Sequence, residues 1–130
     1  MNEYDKTMYD EMLTEHNAYR KVVKLTPLVM NQQLMIAAKS HADYMDRNGS
    51  MTHMEGWIWS KNRTVANRAK NNGYQFTFIG ENIAWGQHTV MEVMKTWWNS
   101  PPHKSNILGN YADVGFARTG DYWCVVFGKS

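Results

Sequence analysis

The chain has 130 residues, of which 43% are hydrophobic and 20% are charged. This length predicts a single domain over residues 1–130, and this composition excludes a disordered chain. The chain has 14 basic and 12 acidic residues and a net charge of +2, without a basic stripe. We therefore expect no nucleic-acid partner.

Cysteine content and hydropathy narrow the class further. Cys124 is the only cysteine in the sequence, so no disulfide can form within the chain. No apolar run approaches the roughly 18 residues that a membrane-spanning helix needs. The first five residues are polar and acidic and do not predict a signal peptide. The sequence therefore predicts neither a transmembrane segment nor an internal cross-link.

The first half of the chain predicts three helices. Apolar residues recur every three or four positions over residues 5–23 and 31–47, which is the spacing of an amphipathic helix. Pro27 ends any continuation of the first helix, and Gly49 follows the second as a stop signal. Residues 50–62 predict an irregular, tryptophan-rich segment, and residues 64–71 predict a short third helix.

The second half of the chain predicts strands as well as helices. Residues 76–84 are rich in β-branched and aromatic side chains and predict an extended segment. Thr89 has the position of an N-cap, and Glu92 would complete a capping box for the helix that follows. Residues 113–118 and 122–128 predict a hairpin. Helices first and strands last, without a βαβ rhythm, indicate an α+β fold.

The sequence is rich in large side chains, with six tryptophans, seven tyrosines and ten methionines. The simpler interpretation is a bulky core in which methionine fills the gaps. The alternative is an aromatic surface that is exposed for binding. The sequence leaves both open.

The segment Ser100-Pro101-Pro102-His103 has the form of a helix start, with serine at the N-cap and histidine in the first turn. The helix dipole disfavours an imidazolium there, so we expect His103 to be neutral and able to bind a metal. The alternative is a surface histidine on a turn. We expect the Ser100 hydroxyl to cap backbone N–H groups rather than act as a nucleophile, because no Gly-x-Ser-x-Gly elbow surrounds it.

Glu81 and His53 are the other two candidates for chemistry. Glu81 lies in an apolar stretch, where a buried carboxylate needs a partner, and that partner is either a loop backbone or a functional site. His53 follows a loop, where ligands tend to bind, although a loop histidine can also be merely solvated. With His103, these residues could form an open divalent-metal or acid–base site.

The remaining candidates are interpreted as structural. His16 and His41 fall within predicted helices, as interior or capping residues, and Cys124 falls in the last predicted strand as a small buried hydrophobe. No CxxC, HExxH, P-loop or Rossmann fingerprint is present.

Several short motifs follow one another along the chain. They are His16-Asn17-x-x-Arg20, Leu34-x-x-Ala37-x-x-x-His41-Ala42, Met51-Thr52-His53, Gly80-Glu81-Asn82-Ile83-Ala84, Trp97-x-x-Ser100-Pro101-x-His103-x-x-Asn106-Ile107-Leu108 and Asp113-Val114-Gly115-Phe116. This order resembles the CAP superfamily, the group of cysteine-rich secretory proteins, antigen 5 and pathogenesis-related 1, whose domain is also called the SCP domain. The resemblance covers residues 9–128 and is strongest to the compact, disulfide-free bacterial and phage type.

The resemblance implies a three-layer α–β–α sandwich with a short, mainly antiparallel sheet. It also implies a central cleft, lined by two histidines and two acidic residues, that binds a divalent cation, often zinc, in several members. His53 and His103 would be the histidines and Glu81 one acid. The second acid would fall at Ser100, so the chain offers three of the four groups unless Glu55 contributes, and weaker metal binding follows. The residues expected to line the cleft are Ser100, Glu55 and Asn82.

Two functions follow from the resemblance. The first is a monomeric binding module, secreted or on a cell or virion surface, that recognises a lipid, peptide or cell-surface component. The second is a zinc-dependent, peptidase-like hydrolase in which Glu81 acts as third ligand or as general base. The absence of a nucleophile and of a complete acid pair favours the binding module. A vestigial site on a stable scaffold is a third possibility.

Overall fold

The computed structural model describes residues 3–130 except for the side chain of Tyr4. Its elements in chain order are α1 (Glu3–Val22), β1 (Val29–Met30), α2 (Gln32–Asn48), α3 (Val65–Asn71), β2 (Phe78–Trp85), α4 (Val90–Trp98), α5 (Pro101–Ile107), β3 (Asp113–Thr119) and β4 (Tyr122–Lys129). The predicted helices, the extended segment and the hairpin are confirmed; β1 was not predicted. Over residues 3–130, no helix combines the length and hydropathy needed to cross a membrane.

The strands form one mixed sheet in the order β1-β3-β4-β2. β1 pairs with β3 in parallel, whereas β3 pairs with β4 and β4 pairs with β2 in the antiparallel sense. The sheet is therefore mainly antiparallel, as predicted. β2 lies at one edge of the sheet.

Both faces of the sheet are covered by helices. Along β4, Trp123, Val125 and Phe127 pack into a core with residues of α1, α4 and α5. The alternate residues, Cys124 and Val126 among them, pack into a second core with residues of α2 and α3. Because successive side chains of a strand point to opposite faces, helices lie on both sides of the sheet. This confirms the α+β fold with three α–β–α layers.

Side-chain caps fix where the helices begin and end. Asn31, Thr64 and Thr89 each accept a hydrogen bond from a backbone N–H in the first turn of the helix that follows. Gly49 ends α2 with φ of 60°, a left-handed conformation that favours glycine. The Glu92 carboxylate contacts the N–H of the residue before Thr89, at 3.4 Å, so the predicted capping box is only half formed.

The prediction that the Ser100 hydroxyl caps α5 is wrong. Ser100 has the N-cap position, but its side chain makes no hydrogen bond to the helix backbone. Pro102, the second residue of α5, has no N–H, so of the two donors that an N-cap side chain usually bonds only the N–H of His103 remains. The hydroxyl instead lies 2.8 Å from Nδ1 of His103.

Residues of α1 hold the segment between α5 and β3 in place. Arg20 is fully buried and donates hydrogen bonds to the carbonyl oxygens of Ile107, Gly109 and Tyr111 at 2.9–3.1 Å. His16 is also fully buried, and its Nδ1 lies 2.7 Å from the carbonyl oxygen of the preceding turn. The interior interpretation of His16 is confirmed, and Arg20 fixes the C-terminal end of the helix that carries His103.

The tryptophans divide between the two interpretations of their abundance. Trp97 and Trp123 are fully buried in the core that faces α1. Trp57, Trp59 and Trp85 are exposed. The bulky core and the exposed aromatic surface are therefore both present, in different parts of the chain.

Candidate functional site

Two adjacent residues of β2 connect the two faces of the sheet. Glu81 and Asn82 are both buried, and their side chains point to opposite faces because they are neighbours in a strand. Glu81 contacts His53 and the α3 residue Arg68, whereas Asn82 contacts α5. The edge of the sheet therefore brings together three segments that are far apart in sequence.

Both carboxylate oxygens of Glu81 are engaged. Oε1 lies 2.8 Å from Nδ1 of His53, and Oε2 accepts a hydrogen bond from Nη2 of Arg68 at 2.8 Å. The thiol of Cys124 lies 3.5 Å from Oε2. Glu81 thus has a protein partner for each oxygen, and the buried charge that the sequence flagged is compensated by Arg68.

These partners set the ionisation of Glu81. Burial by itself would raise the pKa of Glu81, but the hydrogen bond from His53 and the positive charges of Arg68 and His41 outweigh it and lower the pKa. The same environment acts in the opposite direction on Cys124, because burial and the charge of Glu81 raise the pKa of its thiol well above the ordinary value. Glu81 is therefore ionised at neutral pH, and Cys124 is a protonated, buried hydrophobe, as predicted.

Beneath Glu81 lies a second buried pair, His41 and Glu55. Nε2 of His41 lies 2.6 Å from the carbonyl oxygen of Thr52, and Nδ1 lies 2.7 Å from Oε2 of Glu55. A carbonyl oxygen only accepts, so Nε2 carries a proton, and the Nδ1–Glu55 contact must hold another. Glu55 is 3.7 Å from Nε of Arg68. The structure therefore places Glu55 in the buried network with its carboxylate engaged by His41.

Arg68 also fixes the loop that carries His53. Its Nη1 donates to the carbonyl oxygens of Asn62 and Arg63 at 3.1 Å, and its Nη2 donates to the carbonyl oxygen of His53 at 3.1 Å. Neither Arg68 nor His41 was identified as a site residue from sequence. The available signal for Arg68 was indirect: a carboxylate in an apolar strand requires a cation, and the preceding helix supplies an arginine.

The two candidate imidazoles are held in similar ways. Nδ1 of His53 contacts Glu81, and Nδ1 of His103 contacts Ser100 at 2.8 Å. No residue within 3–130 makes a hydrogen bond to Nε2 of either ring. The backbone of α5 is placed by Asn82, whose Nδ2 donates to the carbonyl oxygen of His103 at 3.0 Å. The side chain of His53 is 52% exposed, so its outer nitrogen is accessible.

His53 and His103 are close enough for the charge of one ring to act on the other. Partial burial lowers the pKa of His103, and the positive charge of His53 lowers it further. His103 is therefore neutral at neutral pH, which is the form that binds a metal. The side chains expected to line the cleft are thus linked through the edge strand: Glu81 of β2 contacts His53, and Asn82 of β2 contacts the backbone of His103.

The arrangement does not provide a ready-made three-ligand metal centre. Across residues 3–130, no group of three or more His, Cys, Asp or Glu side chains is placed to hold a metal ion. The contacts explain this absence, because the oxygens of Glu81 contact His53 and Arg68 and Oε2 of Glu55 contacts His41. What remains for a metal is two imidazole nitrogens, Nε2 of His53 and Nε2 of His103. The buried side chains that pair with one another, Glu81, Arg68, Glu55 and His41, are called the floor of the cleft below.

A curated bacterial protein is similar in sequence to most of this chain. YkwD of Bacillus subtilis is 31% identical over 123 residues, which cover 92% of this chain and 46% of that protein. The chain thus spans about half the length of this relative.

Two solved structures have a similar fold. One is an extracellular protein containing an SCP domain from Bacillus anthracis, with a TM-score of 0.86 and 22% identity over 93% of this chain and 40% of that one. The other is an outer surface protein from Borrelia burgdorferi, with a TM-score of 0.85 and 25% identity over 95% of this chain and 93% of that one.

The family assignment rests on most of the chain. The sequence model of the cysteine-rich secretory protein family, CAP, matches residues 13–127. That range includes every residue of the cleft described above. The chain belongs to the CAP family.

Proposed function

We propose that this chain is an extracellular recognition module whose cleft binds a divalent cation of the zinc type through His53 and His103. The module would recognise a lipid, a peptide or a cell-surface component. Its location is supported by the similar structures, which are described as an extracellular protein and an outer surface protein.

One observation carries the cation proposal. The charge of His53 acts on His103, each ring has its Nδ1 near an oxygen atom, and neither Nε2 has a hydrogen-bond partner within residues 3–130. An oxygen atom that accepts a hydrogen bond from one ring nitrogen orients a histidine and leaves the other nitrogen to bind a metal. Imidazole donors favour zinc, copper or nickel over calcium or magnesium.

Glu81 supports this site from behind. With both oxygens engaged, Glu81 orients His53 and compensates Arg68 rather than facing the cation. Two protein nitrogens leave coordination positions open, so binding is weaker than in a site with three or four protein ligands. A zinc-type ion held there would have open positions that could coordinate an oxygen atom of a ligand. The cation would in that way take part in ligand recognition.

The hydrolase alternative is less well supported by the same contacts. A general base works best when its pKa lies near neutral pH, and the pKa of Glu81 is lowered by its partners. Its oxygens would also have to leave His53 or Arg68 to take a proton. Recognition therefore fits the geometry better than hydrolysis does.

Zinc titration by calorimetry tests the proposal. We expect one zinc site in the wild type, and its loss in His53→Ala and in His103→Ala. His88→Ala is the matched control, because His88 is a histidine whose side chain is 69% exposed away from the cleft. Zinc binding that is equal in all four proteins, or absent from the wild type, would refute the cation site.

Glu81→Gln separates an orienting residue from a ligand. If Glu81 orients His53, the substitution should weaken zinc binding by roughly 10- to 100-fold without abolishing it. Complete loss with an intact fold, judged by circular dichroism, would instead identify Glu81 as a direct ligand. Zinc-dependent cleavage of a peptide library that disappears in His53→Ala would favour the hydrolase.

A further inference from the structure

A short loop next to the cleft presents large apolar side chains to solvent. We call residues 56–60 the Trp loop. Its tip consists of Trp57, Ile58 and Trp59, which are 81%, 72% and 89% exposed. Water exposure of three consecutive large apolar residues is unfavourable, and such patches commonly mark interaction sites.

The loop is held by hydrogen bonds. The N–H of Glu55 donates to the carbonyl oxygen of Arg63 at 2.9 Å and closes its base. Within it, the N–H of Ser60 donates to the carbonyl oxygen of Trp57 at 2.8 Å, and the Ser60 hydroxyl accepts from the N–H of Trp57 at 2.7 Å. Gly56 has φ of 61°, which favours glycine at this bend. The fold therefore displays the apolar tip in a defined conformation.

The patch extends beyond the tip along the same segment. Met51 and Met54 are also exposed, so five large apolar side chains are presented by residues 51–59. No other part of residues 3–130 places three consecutive large apolar residues in solvent. Scattered apolar residues on a surface need no explanation, but a concentration of this kind does.

The charges around the Trp loop are positive. Lys61 is exposed directly after it, and Arg63 donates a hydrogen bond to the carbonyl oxygen of Gly56 at 2.7 Å. Arg47 lies over the ring of Tyr44, whose hydroxyl accepts from the N–H of Gly56. The sole acid between residues 50 and 63, Glu55, is buried and contacts His41.

We propose that the Trp loop inserts into the headgroup region of a lipid bilayer that contains anionic lipids. Tryptophan is favoured at membrane–water interfaces, where its ring is half apolar and half polar, and Ile58 would reach the acyl boundary. Lys61 and its basic neighbours would meet the lipid phosphates.

The inference concerns a surface separate from the cleft. It rests on the proposed function only in that the domain must meet a cell surface, and it does not require a bound cation. Because His53 lies on the same segment as the loop, docking would hold the mouth of the cleft close to the bilayer. A ligand at that surface would then reach the cleft without leaving the membrane.

Vesicle flotation tests the proposal with the full chain. We use vesicles of phosphatidylcholine with phosphatidylglycerol and vesicles of phosphatidylcholine alone. We expect Trp57→Ala and Trp59→Ala each to weaken partitioning into the mixed vesicles by roughly ten-fold. Lys61→Ala should weaken it about five-fold on the mixed vesicles and leave binding to phosphatidylcholine unchanged.

Two controls make the result specific. Trp85→Ala removes a tryptophan that is 59% exposed on β2 and should not change partitioning. Flotation of the wild type with a metal chelator present leaves the cation site empty and should give the same partitioning, so failure of the cation site and failure of membrane docking are distinguishable. Circular dichroism confirms that each variant is folded.

Three results would overturn the proposal. One is absence of the wild type from floated mixed vesicles. Another is flotation that the loop variants leave unchanged. The third is a concentration-dependent dimer, seen by analytical ultracentrifugation, that Trp57→Ala abolishes while vesicle binding is absent, which would identify a second copy of the chain as the partner.

Discussion

The floor of the cleft and the Trp loop both depart from the rule that charged side chains are exposed and large apolar side chains are buried, and they do so in opposite ways. At the floor, Glu81, Arg68 and Glu55 are charged side chains that are buried. In the loop, Trp57 and Trp59 are apolar side chains that are exposed. Each arrangement costs free energy in isolation.

The difference between them is whether the partners lie within the chain. Every charge at the floor meets a complementary group, with contacts of 2.7 Å for His41 and Glu55 and 2.8 Å for Arg68 and Glu81. The loop tip has hydrogen bonds between Trp57 and Ser60, but nothing within residues 3–130 covers its side chains. The floor therefore acts as internal scaffolding for the histidines, and the loop is organised to meet something outside the chain.

Breaking the floor should have the largest effect on stability. Arg68→Ala leaves Glu81 and Glu55 without their cation and frees the loop carbonyls of Asn62 and His53. We expect the free energy of unfolding to fall by about 3–5 kcal/mol, measured by urea denaturation. Lys39→Ala is the control, because its ion pair with Asp43 is exposed and should contribute less than about 1 kcal/mol. Equal effects of the two substitutions would contradict the assigned role of Arg68.

His16 lies outside the floor and is buried without a complete set of partners. His16 is fully buried among aromatic rings, its Nε2 has no hydrogen-bond partner within residues 3–130, and burial lowers its pKa to about 4. Between the ordinary value of 6.5 and about 4, the unfolded chain binds a proton that the folded chain does not. The contribution of His16 to the free energy of unfolding is therefore complete above about pH 6.5. It is lost as the pH falls toward about 4, by up to roughly 3 kcal/mol.

His16→Phe tests this pH dependence. The variant keeps a ring in the aromatic pocket but removes the titrating group, so its stability should fall less steeply than that of the wild type between about pH 6.5 and 4. Urea denaturation at several pH values measures both slopes. Parallel slopes would show that His16 does not couple folding to protonation.

Changes in the Trp loop should have the smallest effect on folding. Trp57→Ala and Trp59→Ala remove side chains that already face water, so we expect the free energy of unfolding to change by less than about 0.5 kcal/mol. Thermal denaturation of both variants, with the core substitution Trp97→Ala for contrast, measures this. Trp97→Ala should cost about 3–5 kcal/mol because Trp97 is fully buried. A loop variant that unfolds as readily would show that the loop is part of the core.

Local signals in the sequence predict most of the fold. Asn31, Gly49, Thr64 and Thr89 mark helix ends, because caps and left-handed glycines act over a few residues. β1 carries no such signal, since two residues become a strand only through pairing with β3, more than eighty residues away in sequence. The cap expected at Ser100 did not form because the hydroxyl contacts the ring of His103 instead of the helix backbone, and the N-cap rule takes no account of such a side-chain partner.

The site was predictable in its residues but not in their connections. His53, Glu81 and His103 could be identified as candidates from motifs, and the structure shows that His53 contacts Glu81 and acts electrostatically on His103. That Glu81 has both oxygens engaged depends on Arg68, which reaches it from another element. Sequence spacing does not reveal such long-range pairs, so whether a carboxylate faces a ligand or an arginine needs the folded chain.

Nitrogen NMR of the imidazole rings during a zinc titration tests most directly whether His53 and His103 bind one cation. We expect zinc to shift the Nε2 resonances of His53 and His103 together, at one stoichiometry, and to leave those of His16 and His88 unchanged. The metal-free protein should show His53 protonated at Nδ1, since that atom faces Glu81. Zinc shifts confined to His88, or movement of only one of the two cleft histidines, would contradict a shared cation site.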